Sequence, residues 1–244
     1  MKISEHNKEL YEREFYNYKT YHKVHGDKIK KMIRLVSSSP KKILDIGCGD
    51  GWTGKLLKDE YKAEVHGVDI AEKALKSAKK KGLKTKKFDL AKSKWPYKDD
   101  YFDLIIAGDI IEHVYDTENF VKECHRILKK GGELIISTPN INSYQNRFLV
   151  LIGKMPLWID YAPNLKSYKH YKTTGHVRVF NKKTLTRLLE TYGFKVDKLT
   201  GAGLVGDAEL MNLPKTVVKI GNKIEKFLSH FTSIASLLII KVVK

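Results

Sequence analysis

Apolar residues alternate between two periods along most of this chain. From Lys41 onward, short β-branched and apolar runs at residues 41–47, 64–69, 83–88, 102–108, 132–138, 194–201 and 235–243 read as strands. Between them lie segments with apolar residues at three-and-four spacing, 52–60, 71–81, 117–129 and 181–192, which predict helices. The last begins at a capping Asn181 and stops at Gly193. Strands alternating with helices demand right-handed crossovers and hence a parallel sheet with helices on both faces, a doubly wound α/β fold. Residues 1–39 carry apolar stripes instead (Tyr11, Phe15, Tyr18, then Ile29, Met32, Ile33, Val36) and predict a helical cap, ended by Ser37-Ser38-Ser39-Pro40. Two stretches break the alternation, about 141–180 and about 202–232, and read as insertions into the domain that spans 40–244. The first, rich in apolar and aromatic residues directly after the fifth strand, is the expected substrate lid.

The first strand empties into Asp45-Ile46-Gly47-Cys48-Gly49-Asp50-Gly51-Trp52-Thr53-Gly54. Glycines at 47, 49 and 51 remove the Cβ atoms that would hold a ligand away from the main chain, and the N–H groups of the following helix face that ligand. The string Gly49-x-Gly51-x-x-Gly54, with Asp69 twenty positions after Gly49, matches a dinucleotide fingerprint. Against it, Asp45 and Asp50 would repel a pyrophosphate, whereas Asp45 suits an ammonium.

These residues resemble the class I methyltransferases that use S-adenosylmethionine (SAM), whose first motif has the form acidic-x-Gly-x-Gly-x-Gly. The resemblance covers about residues 40–200 and a final strand. It implies a Rossmann-like, seven-stranded sheet, mostly parallel with an antiparallel last strand. It also implies a SAM site built from Asp45, Gly47, Gly49, Gly51, Asp69, Ile70, Asp89, Leu90 and Asp109. In that family the second-strand acid, here Asp69, takes both ribose hydroxyls, with Ile70 against the adenine. Asp89 and Leu90 would meet the adenine amine and ring.

Asp109, Glu112 and His113 share one face if their segment turns helical. His113 can serve as general base toward a hydroxyl acceptor, with Asp109 near the methyl group. A similar Glu-x-x-Glu-His array binds a metal in some quinone-pathway O-methyltransferases and small-RNA 2′-O-methyltransferases. The resemblance therefore makes Asp109, Glu112, His113 and His176 candidate ligands for Mg²⁺ or another divalent ion, although Asp109 is one methylene shorter than the family's Glu. Glu112-His113 also occurs in the family without metal, as a loop-ordering pair.

The pattern Ser137-Thr138-Pro139-Asn140, Asn146-Arg147, Gly175-His176-Val177-Arg178-Val179-Phe180 and a Leu-rich helix ending at Tyr192-Gly193-Phe194 looks like the subgroup that holds quinone-pathway and glycan- or lipid-cluster methyltransferases. The expected activity is methyl transfer from SAM to a hydroxyl of a small molecule, lipid or glycan. The run Phe148-Leu149-Val150-Leu151-Ile152 could cover an apolar acceptor, touch a membrane surface beside basic neighbours, or be buried on the sheet. With Lys plus Arg at 46 against Asp plus Glu at 28, and lysines crowded between Lys73 and Lys98, an RNA methyltransferase is the main alternative. Solvated lysine-rich helix faces account for the same charge. A nicotinamide-dependent dehydrogenase and a non-enzymatic SAM-binding module stand further off.

The 244 residues, 42% of them hydrophobic, suffice for one substantial core. Two cysteines without paired spacing imply neither disulfides nor zinc, and the polar start lacks a signal-peptide core, so a reducing cytoplasm is expected.

Overall fold

The computed structural model describes residues 18–159, 175–203 and 215–244. Helix α1 (Tyr18–Leu35) leads into β1 (Lys42–Ile46), α2 (Trp52–Tyr61), β2 (Glu64–Asp69), α3 (Glu72–Lys80) and β3 (Lys84–Lys87). Then follow β4 (Phe102–Gly108), a single 3-10 turn at Ile111–His113, α4 (Thr117–Ile127) and β5 (Leu128–Pro139). The chain closes with α5 (Tyr144–Leu151), α6 (Lys182–Thr191), β6 (Lys195–Ala202), α7 (Lys215–Leu228) and β7 (Leu237–Val243).

The strands form one seven-stranded sheet in the order β3-β2-β1-β4-β5-β7-β6. Strands β1 to β5 pair in parallel, and β7 runs antiparallel to both β5 and β6. Strand residues alternate between two cores, as the two-residue period of a pleated strand requires. Leu44, Ile46, Ile105, Leu134 and Ile240 pack with Phe120 and Val121 of α4 and Leu185 and Leu189 of α6. Ile43, Val65, Leu104, Ile135 and Ile239 pack on the other face with Met32 of α1, Leu57 of α2 and Leu75 of α3. Each Leu or Ile taken fully from water contributes about 2 kcal/mol, so the two layers hold the sheet from both sides.

Beyond shifts of one or two residues at strand ends, the structure differs from the sequence expectation at α4, β5 and both insertions. Helix α4 stops at Ile127, and β5 starts early at Leu128. Its register against β4 then jumps, from Phe102 opposite Leu128 to Leu104 opposite Glu133, because the Lys129 to Gly132 excursion takes up the extra residues. Residues 144–151, within the first insertion, form α5, with the Ser143 side chain accepting from the Asn146 N–H as N-cap. The second insertion is not wholly irregular: it contains the fourteen-residue α7. Gly221 and Asn222 at the middle of α7 lower its helical propensity in the sequence. The N-cap expectation at Asn181 holds, and its side chain shares a capping box with Thr184. The proposed cap and lid reach into residues 1–17 and 160–174, which lie outside the described residues, as do 204–214.

The turn after β1 fixes where a ligand can approach. Gly47, Gly49 and Gly51 all have positive φ, at 68°, 51° and 81°. At Gly51 the constraint is double, because a Cβ there would lie 2.6 Å from Ala78 Cα on α3. Gly51→Ala should therefore destabilise the fold by about 3 kcal/mol, from left-handed strain plus overpacking against backbone, read as a lowered Tm in thermal unfolding.

Candidate active site

The carboxyl ends of β1, β2, β4 and β5 meet at one edge of the sheet, where an open α/β sheet places its ligands. Gly47 and Cys48 donate their N–H groups to Val68 O, which locks the glycine turn against the end of β2. Asp69 continues that lock: its Oδ2 accepts from Gly49 N at 2.9 Å and its Oδ1 from Ala71 N at 2.8 Å. A carboxylate offers about four acceptor positions, so the backbone donors leave it capacity for a ligand. Burial raises its pKa, and the backbone donors at Ala71, Gly49 and Ile70 oppose that rise.

Asp45 is only 3% exposed, and its Oδ2 has no hydrogen-bond partner of good geometry. Burial first, and then the negative charge of Asp69, raise its pKa to about 8. The Gly54 N–H opposes that rise. A buried carboxyl with one unpartnered oxygen beside three left-handed glycines is the arrangement an incoming cationic group would complete. Asp89 is more local in character, with Oδ1 accepting from Ala91 N at 2.9 Å. Ile70 and Leu90 are half-buried just beyond the ends of their strands.

Helix α1 supplies groups that sequence reasoning did not single out. His22 stacks on Trp52, with ring centroids 4.2 Å apart, and its Nε2 lies 3.3 Å from Asp50 Oδ1. Three residues on, His25 Nδ1 lies 3.7 Å from Asp109 Oδ2, and burial lowers the imidazole pKa to about 4. Lys28, a further turn along and 1% exposed, donates to Asp109 Oδ2. The signal was present as polar residues at 22, 25 and 28, one helical stripe beside the apolar one.

Asp109 takes a left-handed backbone, with φ 51°. Its Oδ1 accepts from Ser137 Oγ at 2.6 Å, and its N–H donates to Ser137. Although burial opposes ionisation, Lys28, His25 and Ser137 hold the Asp109 pKa down to about 2. A pKa depressed below the unfolded value stabilises the fold above the unfolded pKa, and that stability is lost as the pH falls through about 2. Lys28→Met leaves the carboxylate without its cation and should cost about 3–5 kcal/mol at pH 7. The deficit in Tm against the parent should shrink toward pH 4, as the uncompensated Asp109 takes up a proton.

The 3-10 turn after β4 carries Glu112 and His113. Val177 N and Arg178 N both donate to Glu112 O, at 2.9 and 3.1 Å, and so hold residues 175–180 alongside the turn. His176 thereby joins the pair: one ligand atom from each of Glu112, His113 and His176 lies within 4.8 Å of the others. Asp109, the remaining member of the sequence array, is engaged by Lys28 and Ser137 and is not part of this group. Glu112 is 1% exposed, with Oε2 accepting from Thr138 Oγ1 at 2.9 Å and Oε1 buried without a partner. Burial, then the Asp109 charge, raise its pKa to about 8. His113 Nδ1 bonds Gly175 O at 3.0 Å and His176 Nδ1 bonds Trp158 O at 2.9 Å. A carbonyl accepts from Nδ1–H, so each ring carries its lone pair on Nε2. Glu112, Asn140, Asn146, Leu157, Trp158 and His176 line a narrow cleft. A carboxylate with one orphaned oxygen and two oriented imidazoles fits a divalent ion.

The model of the methyltransferase domain family matches residues 19–199, most of the chain and all the elements just described up to β6. The chain belongs to the methyltransferase-domain family. It thus falls in the class I SAM-dependent superfamily. Among its relatives, a ubiquinone biosynthesis O-methyltransferase of Thiobacillus denitrificans is 26% identical over 194 residues, covering 75% of this chain and 77% of that one. Norajmaline N-methyltransferase of Rauvolfia serpentina is 37% identical over 106 residues, 41% of this chain. The match spans 36% of that protein, and 54% of a probable SAM-dependent methyltransferase of Mycolicibacterium smegmatis. A solved SAM-dependent methyltransferase from Archaeoglobus fulgidus superposes with a TM-score of 0.62 at 21% identity, covering 94% of this chain and 100% of that one, which shows the shared fold.

Proposed function

We propose that this protein transfers a methyl group from SAM to a hydroxyl of a small molecule, lipid or glycan. The observation that carries the reading is the pairing, on one sheet edge, of the buried Asp45 carboxyl, with its unpartnered Oδ2 at the end of β1 beside the glycine turn, and oriented imidazoles beside a cleft. In this reading Asp45 receives the cofactor's amine and Gly47, Gly49 and Gly51 admit its amino-acid portion. Asp69 takes the ribose hydroxyls, Ile70 lies against the adenine, and Asp89 and Leu90 meet its edge. His113 accepts the acceptor's proton as the oxygen bonds to the methyl carbon and the carbon–sulfur bond breaks. The protein's main contribution is to hold the oxygen in line with the departing sulfur and to exclude water. Glu112, His113 and His176 would hold a divalent ion, which when bound supplies a lowered hydroxyl pKa and a fixed acceptor orientation.

The RNA alternative draws on the lysine-rich edge. There Lys81 pairs with Asp50, Lys84 with Glu64 and Lys87 with Glu72, so part of that charge is internally matched. The deciding experiment supplies labelled SAM with phenolic, amine and RNA acceptors, with and without Mg²⁺. Label in the O-methyl product of the phenolic acceptor supports the reading, and label confined to amines or to RNA, its ribose 2′-oxygens included, overturns it.

Asp45 adds an independent check. With its pKa raised to about 8, Asp45 holds a proton at pH 7 that an incoming ammonium would displace. Binding of S-adenosylhomocysteine should release close to one proton at pH 7, and affinity should rise up to about tenfold per pH unit from 6 toward 8. Calorimetry in buffers of different ionisation enthalpy measures this, and Asp45→Asn should abolish the release.

A further inference from the structure

Away from the catalytic residues lie two exposed apolar stretches. On α7 and just beyond it, Ile220, Ile224, Phe227 and Phe231 recur at spacings of four, three and four and are all exposed, Phe227 by 63%. That spacing sets them on one stripe of a helix. Lys219, Lys223 and Lys226 are exposed along one side of the stripe. The only acid of α7, Glu225, is buried on the opposite side, accepting from Tyr144 Oη at 2.6 Å and Gln145 Nε2 at 3.2 Å. These bonds seat the first turn of α5 on α7. The second stretch leaves α5 directly: Phe148, Leu151, Met155 and Leu157 are exposed, Leu151 by 82%. Residues 141–159 contain no acid, and Arg147 and Lys154 are exposed among them. Leu157 also lines the cleft that holds Glu112 and His176.

We propose that α7 and the stretch from α5 to Leu157 form a docking face for an anionic lipid surface. An apolar stripe bordered by lysines, with its one acid turned inward, is the pattern of a helix lying in the interface plane of a bilayer. No described helix is long and apolar enough to cross a membrane, so the contact is with one leaflet. Charge decides between this occupant and a second copy of the chain. A two-fold contact sets the same positively charged patch against itself, and in its antiparallel form brings the lysine rows of both copies side by side. Anionic headgroups instead satisfy the lysines while the apolar side chains enter the acyl boundary. The leaflet then lies beside the cleft mouth through Leu157, and an acceptor with an apolar tail could pass from one to the other.

The test is co-sedimentation of the full chain with vesicles of phosphatidylcholine alone and of phosphatidylcholine with phosphatidylglycerol, at low and physiological salt. The wild-type protein should partition strongly only into the anionic vesicles, and less so as salt rises. At about fivefold per lysine near the surface, Lys219→Glu, Lys223→Glu and Lys226→Glu together should weaken partitioning roughly a hundredfold or more. Phe227→Ser with Phe231→Ser should weaken it about tenfold or more, because two large apolar groups no longer enter the acyl boundary. Titration with S-adenosylhomocysteine should be unchanged in both variants, which also reports that they fold. Equal partitioning of wild type and both variants, or no preference for anionic vesicles, overturns the proposal. So does a wild-type dimer in sedimentation equilibrium that dissociates in the Phe variant without vesicle binding. Vesicle binding in a protein with no affinity for S-adenosylhomocysteine would leave the docking face standing and remove the methyl-transfer reading.

Discussion

Asp69→Ala should lower the affinity for S-adenosylhomocysteine by about a hundredfold or more while the chain stays folded. Two charge-assisted hydrogen bonds to ribose hydroxyls are each worth about 1.5–3 kcal/mol, which sets the scale. The same carboxylate also accepts from Gly49 N and Ala71 N, so the substitution removes the tie between the glycine turn and the end of β2. The turn keeps its other anchors, the Gly47 and Cys48 N–H groups on Val68 O and the Gly51 N–H on Cys48 O. Because burial raises the Asp69 pKa, removing it also relieves a desolvated charge beside Asp45, and Tm should change little. Calorimetric titration with S-adenosylhomocysteine and a thermal melt of the same sample separate the two effects. Retained affinity would mean that the ribose is held elsewhere. Lost affinity with a collapsed melt would mean that Asp69 serves the turn first.

What was legible in the sequence is what short-range physics dictates. Strands buried on both faces are largely apolar, so Ile43, Leu44 and Ile46 around the lone Asp45, and Leu104 to Ala107, announce themselves. Left-handed backbone favours glycine, and at Gly51 a Cβ would also meet α3, so residues 47, 49 and 51 do the same. The antiparallel β7 was implied by family resemblance alone, since alternation of strands and helices says nothing of the direction of a last strand. The groups that escaped notice depend on long-range packing. Lys28 is a surface-type residue in any local window, and only the docking of α1 against the ends of β4 and β5 buries it on Asp109, 81 positions away. Helix α7 is hidden in the sequence because its centre holds Gly221 and Asn222, which lower helical propensity. The Asp-x-x-Glu-His array assumed a continuous helix. The left-handed Asp109 and the 3-10 turn divide it, sending Asp109 to Lys28 and leaving Glu112 and His113 with His176.

That division bears on the second large effect, expected at His113. If His113 takes the acceptor's proton, His113→Ala should reduce kcat by about a hundred- to ten-thousandfold, the usual range for a positioned general base. Affinity for S-adenosylhomocysteine should stay within about threefold, because the ring is held by Gly175 O and stands beside His176, outside the glycine turn. His113→Gln restores a hydrogen-bonding side chain but no base. It should recover melting temperature without recovering turnover, which separates proton transfer from the bond that fastens residue 175 to the turn. A purely structural His113 would behave the other way, with Gln restoring both and Ala lowering cofactor affinity and turnover together. If instead His113 acts chiefly as a metal ligand, His176→Ala should reproduce its loss and added Mg²⁺ should partly offset both. Loss in the His113 variant alone, indifferent to Mg²⁺, assigns the proton to His113 itself. The first pattern moves the chemistry from a single imidazole to the set formed by Glu112, His113 and His176.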